Sequence, residues 1–465
     1  MLLPPPQLEP LKRLCVSDGL LLNAELWHHA HHYHQHRQNV HFQSLYEPGI
    51  VYGLGVVLSD APEQTPSQYR DQRWVEIQPG LAIDLEGNPI VVDEPVAFPV
   101  APIETDHPLT IYLTIRHVDP ETLERPKEQC VFQERFRIDQ VNREPTGREV
   151  ELCRIHLHPG AVSLGPTPDP FHPSVAQLDR RYRPIIRPRP QCMVHLAQGI
   201  LDTENEADTV AHHALRSLAR SLSALYPSLR THPTITSISL TSDAASTPIA
   251  SDDCSFRSAE DMLTSAPHLL YLPFSHIEHM NDEAIATLKS HIQQGGTLLI
   301  ELLEYDAQWR ELNAVRQEIE ESIATTNQQR GLTTIRFNLQ SELEACNQTL
   351  EEQTQDILDE VNSLAQRLDL SSGGQDIQTL AQNHPLDDHP LLQEPFLFGQ
   401  LPMLNSTCVQ VFAWEGIILV LGNLSQGWGG QAATHQLSRD TIRAAQELGV
   451  NLLHFAWKRK TLMGA

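Results

Sequence analysis

Residues 267–301 read PHLLYLPFSHIEHMNDEAIATLKSHIQQGGTLLIE. The run HLLYLPF (268–274) is short and apolar throughout, as a strand buried on both faces must be. Asn281 stands where an N-cap belongs, so a helix is predicted from about Asp282 to Gln293, and a second apolar strand, TLLIEL (297–302), follows Gly295-Gly296. Strands that alternate with helices imply a mostly parallel sheet. The alternation extends both ways. Upstream, Val210, Ala214, Leu218, Leu222 and Leu225 recur at helical spacing over 206–225, before a strand ITSISL (235–240). Downstream come the strand pair VQVFAWEGIILVLG (409–422), a helix from about Ser438 to Leu448 and a last strand VNLLHFAW (450–457). Residues 205–465 are expected to form one α/β domain.

An inserted element interrupts that domain over 306–368. Leu312, Val315, Ile319 and Ile323, then Leu339, Leu343, Cys346, Leu350, Ile357, Val361, Leu364 and Leu368, follow a three-four rhythm on either side of Arg330-Gly331. This predicts an antiparallel coiled-coil hairpin whose second helix, about 34 residues long, projects roughly 50 Å. Carboxylates outnumber Lys and Arg roughly two to one there, so its outer faces should be acidic and solvated.

The first 160 residues have a different periodicity. EPGIVYGLGVVL and WVEIQPGLAIDLEGNPIVV are β-branched runs punctuated by Pro79-Gly80 and Glu86-Gly87-Asn88, and LTIYLTIRHV (109–118), VFQERFRID (131–139) and VELCRIHLH (150–158) alternate in period two. Residues 1–160 are expected to be an antiparallel β-domain with one helix leading into it. The proline-dense stretch 161–204, with the basic run DRRYRPIIRPRP (179–190), is expected to be a linker that docks on an acidic neighbour. The expected class is therefore multi-domain α+β.

Composition narrows the function classes. With 33 Lys and Arg against 59 Asp and Glu, the net charge of −26 disfavours broad nucleic-acid binding. Seven scattered cysteines, never paired as C-x-x-C, fit free thiols in a reducing compartment, and the protein is expected to be cytoplasmic. The N-terminus MLLPPPQLEPLKRL carries prolines where a signal peptide needs an apolar run, and no stretch approaches the roughly 18 apolar residues of a membrane helix.

Chemistry-bearing motifs are few. No G-x-x-x-x-G-K-[ST] is present, and Gly53-Leu54-Gly55 lies in a strand-like run instead of opening a helix. GNLSQG (422–427) departs from a G-x-S-x-G elbow because Asn423 precedes Ser425 by two. LPFSHIEH places Ser275, His276, Glu278 and His279 at the carboxyl end of a predicted parallel strand, where open α/β sheets bind ligands, but a capped strand-helix turn leading to Asn281 is the favoured reading of them. The segment ELWHHAHHYHQHRQNVH (25–41) holds seven histidines. Leu26, Ala30, Tyr33, Arg37 and Val40 share one helical face, with Trp27 and His41 at its margin, and this stripe should seat the helix on the β-domain. His28, His32 and His36 form a column spaced by four, a weak metal candidate that lacks the third ligand and interposed base of H-E-x-x-H and is better read as a subunit contact. No catalytic residue, metal or cofactor is expected.

Two portions resemble known families. DGLLLNAELW (18–27), a Gln- and His-rich helix, PGIVYGLGV (48–56) and QPGLAIDLEGNPIVV (78–92) resemble, in that order, proteins encoded with phage-tail-like contractile injection systems, and the type VI secretion baseplate adaptor has a loosely similar start before its β-rich shell domain. The resemblance spans about residues 15–160. It implies a structural, baseplate-associated subunit whose partners are other injection-system proteins and copies of itself, with the hairpin as docking arm, particle-associated and with membrane contact open. PHLLYLPFSHIEHMNDEAIATLKSHIQQGGTLLIE, HPLLQEPF (389–396) and ELGVNLLHFAWKRK (447–460) resemble a bacterial domain of unknown function with a flavodoxin-like, class I amidotransferase-like fold. Amidotransferases carry a cysteine at a strand-helix elbow, and no cysteine here follows a predicted sheet strand that way. The alternative is a hydrolase or ligand-binding protein that uses the turn at 273–279.

Overall fold

The computed structural model describes every residue except 1–8, 103–105, 119–133, 161, 202–205, 241–265, 304–306, 327–332, 372, 379–388, 405–406, 430–436 and 465. The chain divides into two compact units, Met1–Arg189 and Pro190–Ala465.

In the first unit, Asn23 starts the leading helix α1 (Ala24–Leu45) by accepting the Leu26 N–H on its side chain at 2.8 Å. The strands that follow are β1 (Tyr46–Glu47), β2 (Gly49–Gly53), β3 (Val56–Leu58), β4 (Trp74–Ile77), β5 (Gly80–Ile83), β6 (Pro89–Val92), β7 (Val96–Pro99), β8 (Leu109–Val118), β9 (Arg135–Val141), β10 (Val150–Leu157) and β11 (Arg187–Pro188). They pair as three antiparallel triplets, β2-β5-β6, β3-β4-β7 and β10-β8-β9, with β1 against β11. Period-two alternation sends Ile50, Val75, Ile77, Ile90, Val92, Ile111, Leu113, Ile115, Leu152 and Ile155 inward, so one apolar core lies under all three triplets. Gly53 and Leu54 both have positive φ, and the chain turns there from one triplet into the next.

The stretch expected as a linker is divided between the units, its first part belonging to the first unit. Leu164 and Leu178 are buried in the β-core, Ile185 bridges Ile50, and Arg187–Pro188 pairs with β1. Its arginines dock on backbone carbonyls more than on an acidic surface. Arg183 donates to the Gly53 and Leu54 oxygens (both 2.8 Å), Arg189 to that of Gln43 (2.8 Å), and Arg181 is held by Asp179 within its own run. Proline marks extended backbone, and extended backbone with free N–H groups can also strap a sheet.

The second unit contains β12 (Cys192–Val194), β13 (Leu196–Ile200), α2 (Glu206–Leu225), β14 (Leu229–Thr231), β15 (Thr236–Ser239), β16 (Leu269–Pro273), α3 (Asp282–Gln293), β17 (Thr297–Leu302), α4 (Ala307–Thr326), α5 (Thr333–Arg367), β18 (Gln375–Asp376), α6 (Pro390–Gln393), β19 (Met403–Leu404), β20 (Thr407–Cys408), β21 (Gln410–Ala413), β22 (Ile417–Leu421), α7 (Leu424–Gly429) and α8 (Arg439–Met463). Seven strands form a mixed sheet in the order β15-β13-β16-β17-β22-β21-β18. The first five run parallel, while β21 and β18 pair antiparallel at one edge. Alternation again sorts the side chains. Leu269, Tyr271, Leu299, Ile418 and Val420 join α2 and α8 in one core, whereas Leu270, Leu272, Leu298, Ile300, Ile417 and Leu419 join α3 and α5 in another.

Two expectations change here. The run VNLLHFAW is not a strand but the middle of the 25-residue helix α8, with Ala445, Leu448, Leu452 and Ala456 buried at helical spacing. A short apolar run reads the same in either state until its longer period is followed. The second heptad helix also does not project over its whole length. Ile357, Val361, Leu364 and Leu368 lie in the sheet's own core, while Leu339 and Leu343 upstream are only half-buried. α4 lies along α5, and the Cys346 thiol donates to the Leu312 carbonyl at 3.4 Å. Arg330-Gly331, read as the turn, lies outside the described residues.

Candidate functional site

Two of the sequence blocks of the first unit, PGIVYGLGV and QPGLAIDLEGNPIVV, meet at one corner, and the far end of the helix that DGLLLNAELW opens is seated beside it. Gly53 of β2 sits opposite Gly80 of β5, where the Leu54 N–H donates to the Pro79 carbonyl (3.2 Å) and the Gln78 N–H to that of Gly55 (2.8 Å). The backbones are too close for side chains. A Cβ on Gly53 would stand 2.2 Å from the Pro79 oxygen, and one on Gly80 would stand 2.4 Å from the Leu54 nitrogen. The turn after β5 receives the helix. The buried Asp84 accepts the Asn88 backbone N–H at 2.8 Å and its side-chain amide at 3.0 Å, and the amides of Asn88 and Asn39 meet at 2.8 Å. A Cβ on Gly87 would lie 2.4 Å from the Asn39 carbonyl oxygen, and Gln43 donates to the Glu86 carbonyl. The end of α1 is thus seated on the turn DLEGN.

The rest of α1 is less covered than expected. Leu26, Ala30, Tyr33 and Val40 are half-buried, but His36 completes their stripe in place of Arg37, Trp27 is 57% exposed, and no residue of the helix is fully buried. Of the column, His28 and His32 are exposed and His36 is half-buried. The His32 and His36 rings stack 6.0 Å apart, and His36 Nε2 lies 3.4 Å from the Glu9 carbonyl oxygen. Among the described residues no group of three or more His, Cys, Asp or Glu side chains is placed to hold a metal ion.

In the second unit the strand-end turn Phe274–His279 forms a 3-10 helix after β16. Ser275, Glu278 and His279 are exposed, so the turn does not gather its four polar residues. Only His276 points inward, fully buried, with Nε2 3.5 Å from Asp208 of α2. Burial pushes the His276 imidazole down to about 4 and the Asp208 carboxyl up to about 6. Near neutral pH the pair is thus a neutral imidazole beside a carboxylate that ionises with difficulty.

Opposite signs of pH dependence follow. His276 has a folded value below its unfolded 6.5, so its protonation costs stability as pH falls from 6.5 towards 4. Asp208 has a folded value above its unfolded 3.8, so it favours the fold below that value, and the contribution is lost as pH rises through about 6. Asp208→Asn is therefore expected to stabilise the second unit by about 1–2 kcal/mol at pH ~8 and to have little effect at pH ~4, read by urea denaturation at both. Equal effects at the two pH values would exclude this ionisation cost.

A second buried cluster was not singled out from the sequence. Glu301 near the end of β17, 1% exposed, accepts the Tyr271 hydroxyl at 2.5 Å on one oxygen and the Ser425 backbone N–H at 2.8 Å on the other. Burial raises its pKa, against the pull of those hydrogen bonds. The available signal was the lone charge in TLLIEL, whose six residues are all buried. Gly422 and Asn423 both take positive φ, so GNLSQG does make a sharp strand-to-helix turn. Its serine, however, is fully buried with its amide on a carboxylate. The arrangement ties β16, β17 and α7 together at the carboxyl ends of the strands.

No family model matches the chain, and no curated protein matches it. A solved structure described as "Crystal structure of TssK" matches over 86% of this chain and 66% of that chain, just under two thirds of its length, with 9% sequence identity and a TM-score of 0.20. That degree of likeness determines neither fold nor function. Among the described residues no helix is long and apolar enough to cross a membrane.

Proposed function

We propose that the chain is a baseplate-type structural subunit of a contractile injection system and works without catalysis. The observation that carries this reading is the corner in the first unit. The blocks DGLLLNAELW, PGIVYGLGV and QPGLAIDLEGNPIVV, which resemble injection-system proteins in sequence, lead into or form one assembly in which Gly53, Gly80 and Gly87 permit backbone contacts that no other residue permits. Short blocks recurring in order are what a shared fold needs when each block is half of a contact. The second unit is read as flavodoxin-like, supported by its five parallel strands, which in chain order lie 2-1-3-4-5. In this reading α4 and the exposed length of α5 are the docking arm, the partners are other particle subunits and further copies of this chain, and the protein works on the particle in the cytoplasm.

Deleting the chain from cells that make such particles is expected to leave sheath and tube components without assembled baseplates in negative-stain images. Complete, contractile particles in the deletion strain would contradict the proposal.

A ligand-binding or hydrolytic role for the turn 273–279 is the second reading, supported by the buried His276–Asp208 pair. Ser275→Ala with His276→Ala separates the two: lost turnover with normal assembly favours the enzyme, and normal assembly with unchanged chemistry favours the structural role.

A further inference from the structure

At the amino ends of the parallel strands three imidazoles stack face to face. His195, just before β13, lies 5.0 Å from His232, which follows β14, and 5.5 Å from His268, just before β16, with interplanar angles of 15° and 21°. Parallel rings direct their nitrogens in their own planes, so this is not the geometry of three ligands converging on a metal. The His195 backbone N–H donates to His268 Nδ1 at 3.0 Å, which places the His268 ring proton on Nε2 and makes Nδ1 the site of any second proton. Beside the stack, Lys460 of α8 donates to the Ala266 carbonyl and, at 3.3 Å, to that of Pro267. Arg459, one residue earlier, donates to the Gly296 carbonyl, so these two cations fasten the last turns of α8 to the strand ends.

The charged groups that bear on the stack are cationic: Lys460 from α8 acts on His195 and His268, His291 from α3 acts on His268, His232 acts on His195 and His195 on His268, while a hydrogen bond with the neutral Thr234, whose hydroxyl lies 2.8 Å from His232 Nδ1, pulls His232 the other way. Among the described residues no carboxylate opposes them. We propose that the stacked His195, His232 and His268 beside Lys460 form an acid-sensitive latch, which holds the C-terminal turns of α8 on the sheet while neutral and releases them on protonation. A second proton on His268 removes the acceptor of the His195 N–H and sets a new positive charge against Lys460. Burial already holds the three rings down, and the cationic neighbours add to it at His195 and at His268, the latter pushed down to about 3, so the latch stays closed at neutral pH.

Hydrogen exchange on the full chain, corrected for intrinsic rates, tests the latch between about pH 7.5 and pH 5. Peptides covering 192–200 and 455–463 are expected to lose protection about tenfold or more while 282–302 keeps it. Simultaneous loss in all three would mean ordinary acid unfolding and would overturn the proposal, as would unchanged protection. The triple variant His195→Gln, His232→Gln, His268→Asn is expected to retain protection of 455–463 at the lower pH. Wild-type loss reproduced in the triple variant counts against the latch. Should that variant not fold, NMR titration of the wild-type histidines decides. The three rings are expected to stay neutral until the pH at which 455–463 opens, and opening while they remain neutral, or ordinary titration near 6.5 without opening, overturns the proposal.

Discussion

Gly80→Val is expected to unfold the first unit and leave the second folded. The new Cβ would stand 2.4 Å from the Leu54 nitrogen and 2.5 Å from the Tyr52 oxygen, both backbone atoms of the strand it must cross. No rotamer change relieves a clash between main chains, and moving β2 would break the Leu54–Pro79 and Gln78–Gly55 hydrogen bonds that set the corner. The cost should be at least about 4 kcal/mol, in the range where a single change removes most of a domain's stability. Gly53→Ala should behave similarly, since it adds strain at φ +67° to a 2.2 Å contact with the Pro79 oxygen. Gly165→Ala, whose Cβ would meet nothing within 4 Å, is the control and should be nearly silent. Limited proteolysis reads the difference: residues 1–189 should be degraded in Gly80→Val while 190–465 persists, and a protease-resistant first unit would refute the corner as described.

Glu301→Ala is expected to cost the second unit about 3–5 kcal/mol at neutral pH. The substitution removes the acceptor of the Tyr271 hydroxyl and of the Ser425 N–H and leaves both donors buried beside a cavity. Glu301→Gln keeps the volume and one acceptor oxygen and should cost only about 1–2 kcal/mol. Tyr271→Phe should fall in the same lower range, because it removes one donor and leaves the other bond intact. Urea denaturation followed by tryptophan fluorescence measures the series, and equal midpoints for Glu301→Ala and wild type would show that the cluster does not hold the strand ends together.

How much of this was legible depended on whether a pattern names its partner. Asn281 and the run Asp282–Gln293 give a helix with its cap because the signals are local, and the helix has those bounds. The stripe Ile357, Val361, Leu364 and Leu368 reports only that one face is covered. It reads equally well as a hairpin seam, and the sheet covers it instead. The prolines of 161–190 predict extended chain, yet whether that chain floats or straps a sheet depends on carbonyl oxygens of Gly53 and Leu54 more than 120 residues away. The site behaves likewise. His276 was found because it ends an apolar strand, but the buried carboxyl beside it belongs to Asp208, 68 positions upstream, and no spacing rule connects them. Glu301 could have been singled out, since a carboxylate in a strand buried on both faces must be compensated.

The central claim, that this chain is a structural component of a contractile particle, is tested most directly by mass spectrometry of purified native particles from cells that express it. The account predicts the chain among the particle proteins, in amounts comparable to the baseplate components. Its absence from particles in which sheath, tube and baseplate proteins are all detected would contradict the account.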